Sequence, residues 1–302
     1  MNLMTLFNHN LNQSIDKNKE SVSYVKEITF LLNVLLGKSK KMQKACILGA
    51  GRMDDFSVSF FLQNFDEIIL SDIDLKSMEN NLKKLGLTKK NLEKIQLKEQ
   101  EYTGLEEQHF FNIFGTIDYH SSVDDVEMLL QTAFDNVKDY KFDNETYDLV
   151  YVCPIYTQLV YNQVLRQCAI LRTKGFKEEI LKFIEGYTLD EMVGVIERFN
   201  RQLQDMVNRD GYLVVLSDIF ELEKGSDFER RITNSIQNKE IVDSIYDSYQ
   251  QSYGMGLGDF GLYNLDENME TIHDSWHLWP FSEKKTFLIK MKTYRNKKGG
   301  IL

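Results

Sequence analysis

The sequence predicts an α/β domain on a mainly parallel, seven-stranded sheet with an antiparallel last strand, helices before it and a helical insertion. Two observations carry that expectation. Apolar runs at 45–48, 68–70, 147–153 and 211–217, with a weaker strand at 94–99, alternate with segments of helical period, which implies right-handed βαβ crossovers and parallel strands. The chain then closes with two strand-like runs, 271–279 and 284–294, around a turn at 280–283, so the final strand should run against the rest.

In chain order, residues 1–42 read as a mostly helical extension. Within it, 21–36 places Val22, Val25, Ile28, Leu31, Leu32 and Leu35 at helical spacing. The domain proper spans 43–302. The first strand ends in Gly49-Ala50-Gly51, and Asp54 is expected to cap the next helix, where Phe56, Phe60, Phe61 and Phe65 supply core bulk. A second strand closes with Ser71-Asp72-Ile73-Asp74, and helix 75–85 should stop at Gly86. Caps and period make 121–137 a helix. Residues 156–208 form the helical insertion, expected to break near Gly175 and Gly186. After the fifth strand comes a polar helical segment to about residue 251. The run 254–261, with four glycines, is expected to be flexible.

Composition narrows the function. The chain has 302 residues, 42% hydrophobic, with 17 Gly and 2 Pro, enough for a sizeable core and too ordered in composition for long disordered tracts. No apolar run reaches the roughly 18 residues of a membrane span, and the first ten residues lack the pattern of a secretory leader. A cytoplasmic protein with no membrane partner is expected. Cys46, Cys153 and Cys168 have no metal-like spacing and read as buried thiols. A net charge of −10 lacks the basic field that nucleic-acid binding needs, short basic runs at 38–44 and 295–298 notwithstanding. Small-molecule or peptide substrates are the expected partners, and the helical extensions could serve a homodimer.

The sharpest constellation joins the first two strand ends. Glycines let the backbone turn tightly and approach a ligand, and a helix N-terminus beyond them offers free N–H groups to an anion. Twenty-three positions after Gly49, Asp72 ends the second strand, where a carboxylate can accept the hydroxyls of an adenosine ribose. Open α/β sheets bind ligands at such strand tips. A dinucleotide fingerprint would have a third glycine where Asp54 stands, and that carboxylate would repel a pyrophosphate.

Gly49-Ala50-Gly51 and Leu70-Ser71-Asp72 resemble the first two motifs of the Rossmann-like class I S-adenosylmethionine-dependent methyltransferases. Glu101-Tyr102 resembles the third, which faces adenine. The run from Tyr147 to Pro154 resembles the fourth-strand motif, and Asp210-Gly211-Tyr212-Leu213 the opening of the fifth strand. The similarity covers roughly 44–155 and 208–294. It implies a seven-stranded methyltransferase sheet, S-adenosylmethionine as cofactor, and Gly49, Ala50, Gly51, Asp54, Asp72, Ile73, Glu101, Tyr102, Cys153 and Pro154 as cofactor-binding residues. The sequence departs from the family at Ile47, where an acid is common, and in lacking a diagnostic substrate motif.

The resemblance implies direct displacement at the sulfonium methyl, with a base needed only where the acceptor must lose a proton. Tyr156 and Gln158, beside Thr157, and His109 are the catalytic candidates. On the sixth strand His273, Ser275, His277 and Trp279 should share one face; indole packing is favoured there over a metal site. Two rival readings stay open, a non-catalytic or repurposed binding module and a nicotinamide-dependent oxidoreductase; an aminopropyl-transferring relative shares the fold.

Overall fold

Ala45, Cys46, Ile47 and Leu48 are all buried and form the middle of the sheet as β1 (Lys44–Leu48). Such a run without polar alternation suits a strand covered on both faces. The computed structural model describes residues 8–9, 21–37, 42–282 and 285–297. The extension's remaining residues and Glu283 of the expected closing turn lie outside these, as do parts of the two basic runs.

β1 is flanked by β2 (Glu67–Asp72) and β4 (Tyr147–Val152), both parallel to it. β3 (Ile95–Glu99) joins β2, and β5 (Val207–Glu223) joins β4, again in parallel. β7 (Lys285–Arg295) lies antiparallel to both β5 and β6 (Glu270–Trp279), so β6 runs with the parallel strands. The order is β3-β2-β1-β4-β5-β7-β6. It reverses at β1, which places a ligand crevice beyond the carboxyl ends of β1 and β4.

The helices follow local chemistry. α1 (Ser21–Leu36) buries Tyr24, Ile28, Leu32 and Leu36, a strict i, i+4 row, and leaves Val22 exposed. The expected stripe is therefore rotated toward Tyr24, because the face that meets β6 carries the Tyr24–Trp279 stack, with centroids 6.1 Å apart. α2 (Val58–Asn64) is capped by Ser57, whose side chain accepts from the Phe60 N–H. Asp54 is not the cap; it pairs with Arg52 at 2.9 Å. α3 (Leu75–Lys84) is capped by Asp74, and Gly86 follows it at φ +60 as expected. α4 (Lys89–Leu92) and α5 (Ile113–Thr116) are single turns. α6 (Val123–Asn136) opens with a reciprocal Ser122–Asp125 capping box.

The insertion forms a short turn at Tyr156–Gln158, then α7 (Tyr161–Thr173) and α8 (Glu178–Met206). Gly175, at φ +76, does end α7. Gly186 breaks nothing: α8 runs through it for 29 residues. A mid-helix glycine costs only about 1 kcal/mol relative to alanine, less than burying Ile180, Leu181, Ile184, Met192 and Phe199 on either side returns. α8 packs on α6 and α7 and reaches β4 and β5.

α9 (Asp227–Ser235) and α10 (Lys239–Tyr253) match the polar helical segment. The glycine-rich run is not a flexible loop, since α11 (Leu257–Asn268) contains Gly258 and Gly261. A Cβ at Gly258 would stand 2.5 Å from Ser217 Oγ, and one at Gly261 2.5 Å from the Tyr156 ring. These glycines serve close packing. Among the described residues no helix is long and apolar enough to cross a membrane.

Candidate functional site

The turn after β1 needs its glycines. Gly49 has φ +73 and Gly51 φ +34, the left-handed region that side chains avoid. Gly49 is also crowded, since a Cβ there would meet Ile155 Cγ2 at 2.4 Å. The two strand tips face one another across this turn: Gly51 N–H donates to Asp72 Oδ2 at 2.8 Å, and Ala50 N–H to the Ser71 carbonyl at 3.0 Å. The third amide, that of Gly49, donates to the Tyr102 hydroxyl at 3.1 Å, which itself donates to the Ser71 carbonyl at 2.9 Å. The turn's amides are thus engaged within the chain. α2 begins only at Val58, so no helix N-terminus stands directly behind the turn, which corrects the expected anion cradle. The Arg52–Asp54 pair and the residues after it form an intervening loop.

Asp72 is 9% exposed. Its Oδ1 accepts from the Asp74 N–H at 2.8 Å. Burial pushes the carboxyl up to about 6, opposed by the Asp74, Gly51 and Ile73 amides. Behind it Asp74 meets His9 Nδ1 at 3.2 Å, which brings His9 to the strand tips. On β3's side, Glu101 folds back onto its own loop. Its carboxylate accepts from the Thr103 N–H and hydroxyl and from the Gly104 N–H, and burial raises it.

These groups border a small cavity of about 50 Å³, lined by Asn8, Gly49, Asp72, Ile73, Gln100, Glu101, Tyr102, Ile155, Gln158 and Leu159. Five of the ten residues expected at the cofactor are there: Gly49, Asp72, Ile73, Glu101 and Tyr102. Ala50 and Gly51 hold the turn from behind. Asp54 is taken up by Arg52, while Cys153 and Pro154 are buried beside the β1 tip, with Cys153 N–H donating to the Leu48 carbonyl. Asn8, Gln100, Ile155 and Leu159 were not foreseen. Gln100 and Ile155 each adjoin an expected residue, whereas nothing local in the sequence marks Asn8 or Leu159.

Of the catalytic candidates, Gln158 lines the cavity, its Nε2 donating to the Pro154 carbonyl at 3.1 Å. Tyr156 is fully buried beneath it and donates to Asn200 Oδ1 at 2.7 Å, a core contact. His109 is exposed, at φ +53, outside the cavity. The β6 histidines are linked rather than free: His273 and His277 flank Ser275 Oγ at 3.0 and 2.8 Å, and His277 Nδ1 meets Glu27 at 3.0 Å. Among the described residues no three His, Cys, Asp or Glu side chains are grouped as for a metal ion.

Strand order and direction decide the fold: five parallel strands reversing at β1, a sixth parallel strand at the edge, and one antiparallel strand inserted between. This is the Rossmann-like α/β arrangement that the resemblance to class I methyltransferases implies. No protein-family model and no curated protein matches the chain. Solved structures similar to it include a SAM-dependent methyltransferase from Aquifex aeolicus, at 8% identity over 95% of this chain and 97% of that one, with a TM-score of 0.39. A TehB-like SAM-dependent methyltransferase from Corynebacterium glutamicum gives 8%, 96%, 94% and 0.36. A S-adenosylmethionine-dependent methyltransferase from Clostridium acetobutylicum gives 7%, 93%, 93% and 0.36. Overlap at this level carries no argument about chemistry, which has to come from the crevice itself.

Tested against these residues, the adenosine of S-adenosylmethionine fits in donor chemistry. A carboxylate has about four acceptor sites; the Gly51 and Asp74 amides take two, leaving room for a ribose hydroxyl. The space is smaller than the ligand. Cofactor pockets run from about 300 Å³, so the cavity must widen before the whole molecule enters.

Proposed function

We propose that the chain is an S-adenosylmethionine-dependent methyltransferase that acts on a small-molecule or peptide acceptor by direct displacement. The observation that carries this reading is the Asp72 carboxylate held opposite the 49–51 turn at the point where strand order reverses. Asp72 would accept a ribose hydroxyl, with Ile73 and Tyr102 beside the nucleoside. Bound there, S-adenosylmethionine would supply an electrophilic methyl group. Ile155 and Leu159 wall the cavity with apolar surface and would keep water from the reacting centre. Gln158, anchored to the Pro154 carbonyl, would orient the acceptor.

Calorimetric titration with S-adenosylmethionine, its demethylated product and NADH tests this. The first two should bind and NADH should not, because the turn's amides are already bonded and unavailable to a pyrophosphate. Asp72→Ala should weaken binding of the demethylated product by about 1–3 kcal/mol, the worth of a charge-assisted hydrogen bond. Unchanged affinity in that variant removes Asp72 from the site. One observation favours a second reading, a non-catalytic or repurposed cofactor-binding module: the crevice is narrow and already holds the Tyr102 hydroxyl. Binding without turnover across an acceptor panel would select it.

A further inference from the structure

A second group of polar atoms lies past the end of β4, outside the cavity above. Val152, the last residue of β4, pairs with Val215 of β5, so Asp218 stands three residues beyond that pair, level with the chain that leaves β4. There the β5–β7 register shifts between Asp218 and Phe220, a bulge of the kind that re-aims a side chain. Asp218 Oδ2 accepts from Thr157 Oγ1 at 3.1 Å, while its Oδ1 is buried with no partner. Tyr24 comes from α1 to the same face of the sheet, where Asp218 pairs with Ile289, Ile289 with His277, and His277 meets Glu27 of α1. It is 2% exposed, and its hydroxyl also lacks a partner.

Electrostatics agrees with that placement. Burial first, then Asp55, Cys153, Glu27 and Asp218, hold the Tyr24 hydroxyl well above its ordinary range. Burial pushes Asp218 up to about 6, and the nearby charge acting on it is that of Asp259, of the same sign. Asp55, raised by burial to about 7, also feels Asp54 and Asp72 unfavourably and Arg52 favourably. Leaving a buried acceptor unmet is costly. A carboxylate only accepts, and a hydroxyl can accept as well. A multiple N–H donor would satisfy both at once, and a positive charge on it would offset the crowding of like charges.

We propose that Tyr24, Thr157 and Asp218 form a binding site for an aliphatic ammonium group. That this amine is the methyl acceptor rests on the methyltransferase reading; its binding does not. Tyr24 stacks on Trp279, so an aromatic or apolar body next to the amine would find a matching wall. Before its nitrogen could act as a nucleophile, the ammonium would pass one proton to Asp218: the N–H bond breaks, an O–H bond forms at Oδ1, and the electron pair stays on nitrogen.

The test is calorimetric titration of the full chain with benzylamine, benzyl alcohol and benzoate, alone and with the demethylated cofactor. Benzylamine should bind and the other two should not. Asp218→Asn should lower benzylamine affinity roughly tenfold or more, as expected for loss of a charge-assisted contact. Tyr24→Phe, which removes a single unpartnered oxygen and leaves the fold intact, should lower it severalfold. Both variants should retain wild-type affinity for the demethylated cofactor. Equal binding of benzyl alcohol, no benzylamine binding, or unchanged affinity in folded Asp218→Asn and Tyr24→Phe overturns the site. Benzylamine binding with no cofactor binding would instead keep the site and sink the methyltransferase reading.

Discussion

At the scale of single residues, Gly49 and Tyr102 control the crevice. Gly49→Ala would force a left-handed alanine, at roughly 1–2 kcal/mol, and drive a methyl into Ile155, at roughly 1–3 kcal/mol more. Urea unfolding should therefore register a loss of about 2–5 kcal/mol. Tyr102→Phe removes the hydroxyl that joins the Gly49 amide to the Ser71 carbonyl. It should cost about 1–2 kcal/mol in stability. Affinity for the demethylated cofactor should hold or rise, since a competitor for the Gly49 amide is gone; a severalfold drop would show that the hydroxyl contacts the ligand. Much of this site is legible in sequence. A glycine pair ending an apolar run and an acid ending the next are local patterns, and both strand tips meet where such patterns require. The Tyr102 hydroxyl is not legible, because its partners are 31 and 53 residues away and only the folded sheet brings them together. The same holds for Asn8, and for Asp54, which loses its expected capping role to a pairing with Arg52.

At the scale of elements, three helical glycines make a contrast. Gly186 of α8 has open space where a side chain would go, whereas Gly258 and Gly261 of α11 are pressed against Ser217 and Tyr156. Gly186→Ala should stabilise the chain by about 0.5–1 kcal/mol. Gly261→Ala should destabilise it by about 1–3 kcal/mol through overpacking. Thermal melting of the two variants checks both, and shifts of the same sign would refute this account of α11. Sequence misjudges both helices for one physical reason. Glycine weakens a helix locally but also permits close approach, and only tertiary contacts decide which effect governs. The strand alternation carries less ambiguity, which is why all seven strands are found near their expected places, although β5 begins earlier, at Val207 inside the expected helical insertion, and continues past Ser217 to Glu223.

At the scale of the whole molecule, buried acid sets the response to pH. Asp55, Asp72 and Asp218 are raised to about 7, 6 and 6, chiefly by burial, against about 4 in the unfolded chain. Between those values the native state binds more protons than the unfolded state, so unfolding free energy falls as pH rises. The contribution is full below about 4 and is lost as pH passes through 6 to 7. Asp143 and Asp243, held low despite burial by hydrogen bonds and by Lys98, Lys239 and Lys290, act in the opposite sense under acid. Calorimetric melting temperatures should decline from pH 5 to pH 8, and Asp55→Asn with Asp218→Asn should flatten that decline. A rising profile over this range would contradict the burial of these carboxyls.

The contact between Glu27 and His277 spans 250 residues, which bears on how the chain is made. At a synthesis rate of about 5–20 residues per second, α1 leaves the ribosome roughly 10–50 s before the strand it rests on exists. Through that interval Ile28, Leu32 and Tyr24 have no β6 to dock against, and the nascent chain carries an uncovered apolar helix beside a half-built sheet. Chaperone capture during translation should therefore centre on the N-terminal helix and end only with the last hairpin.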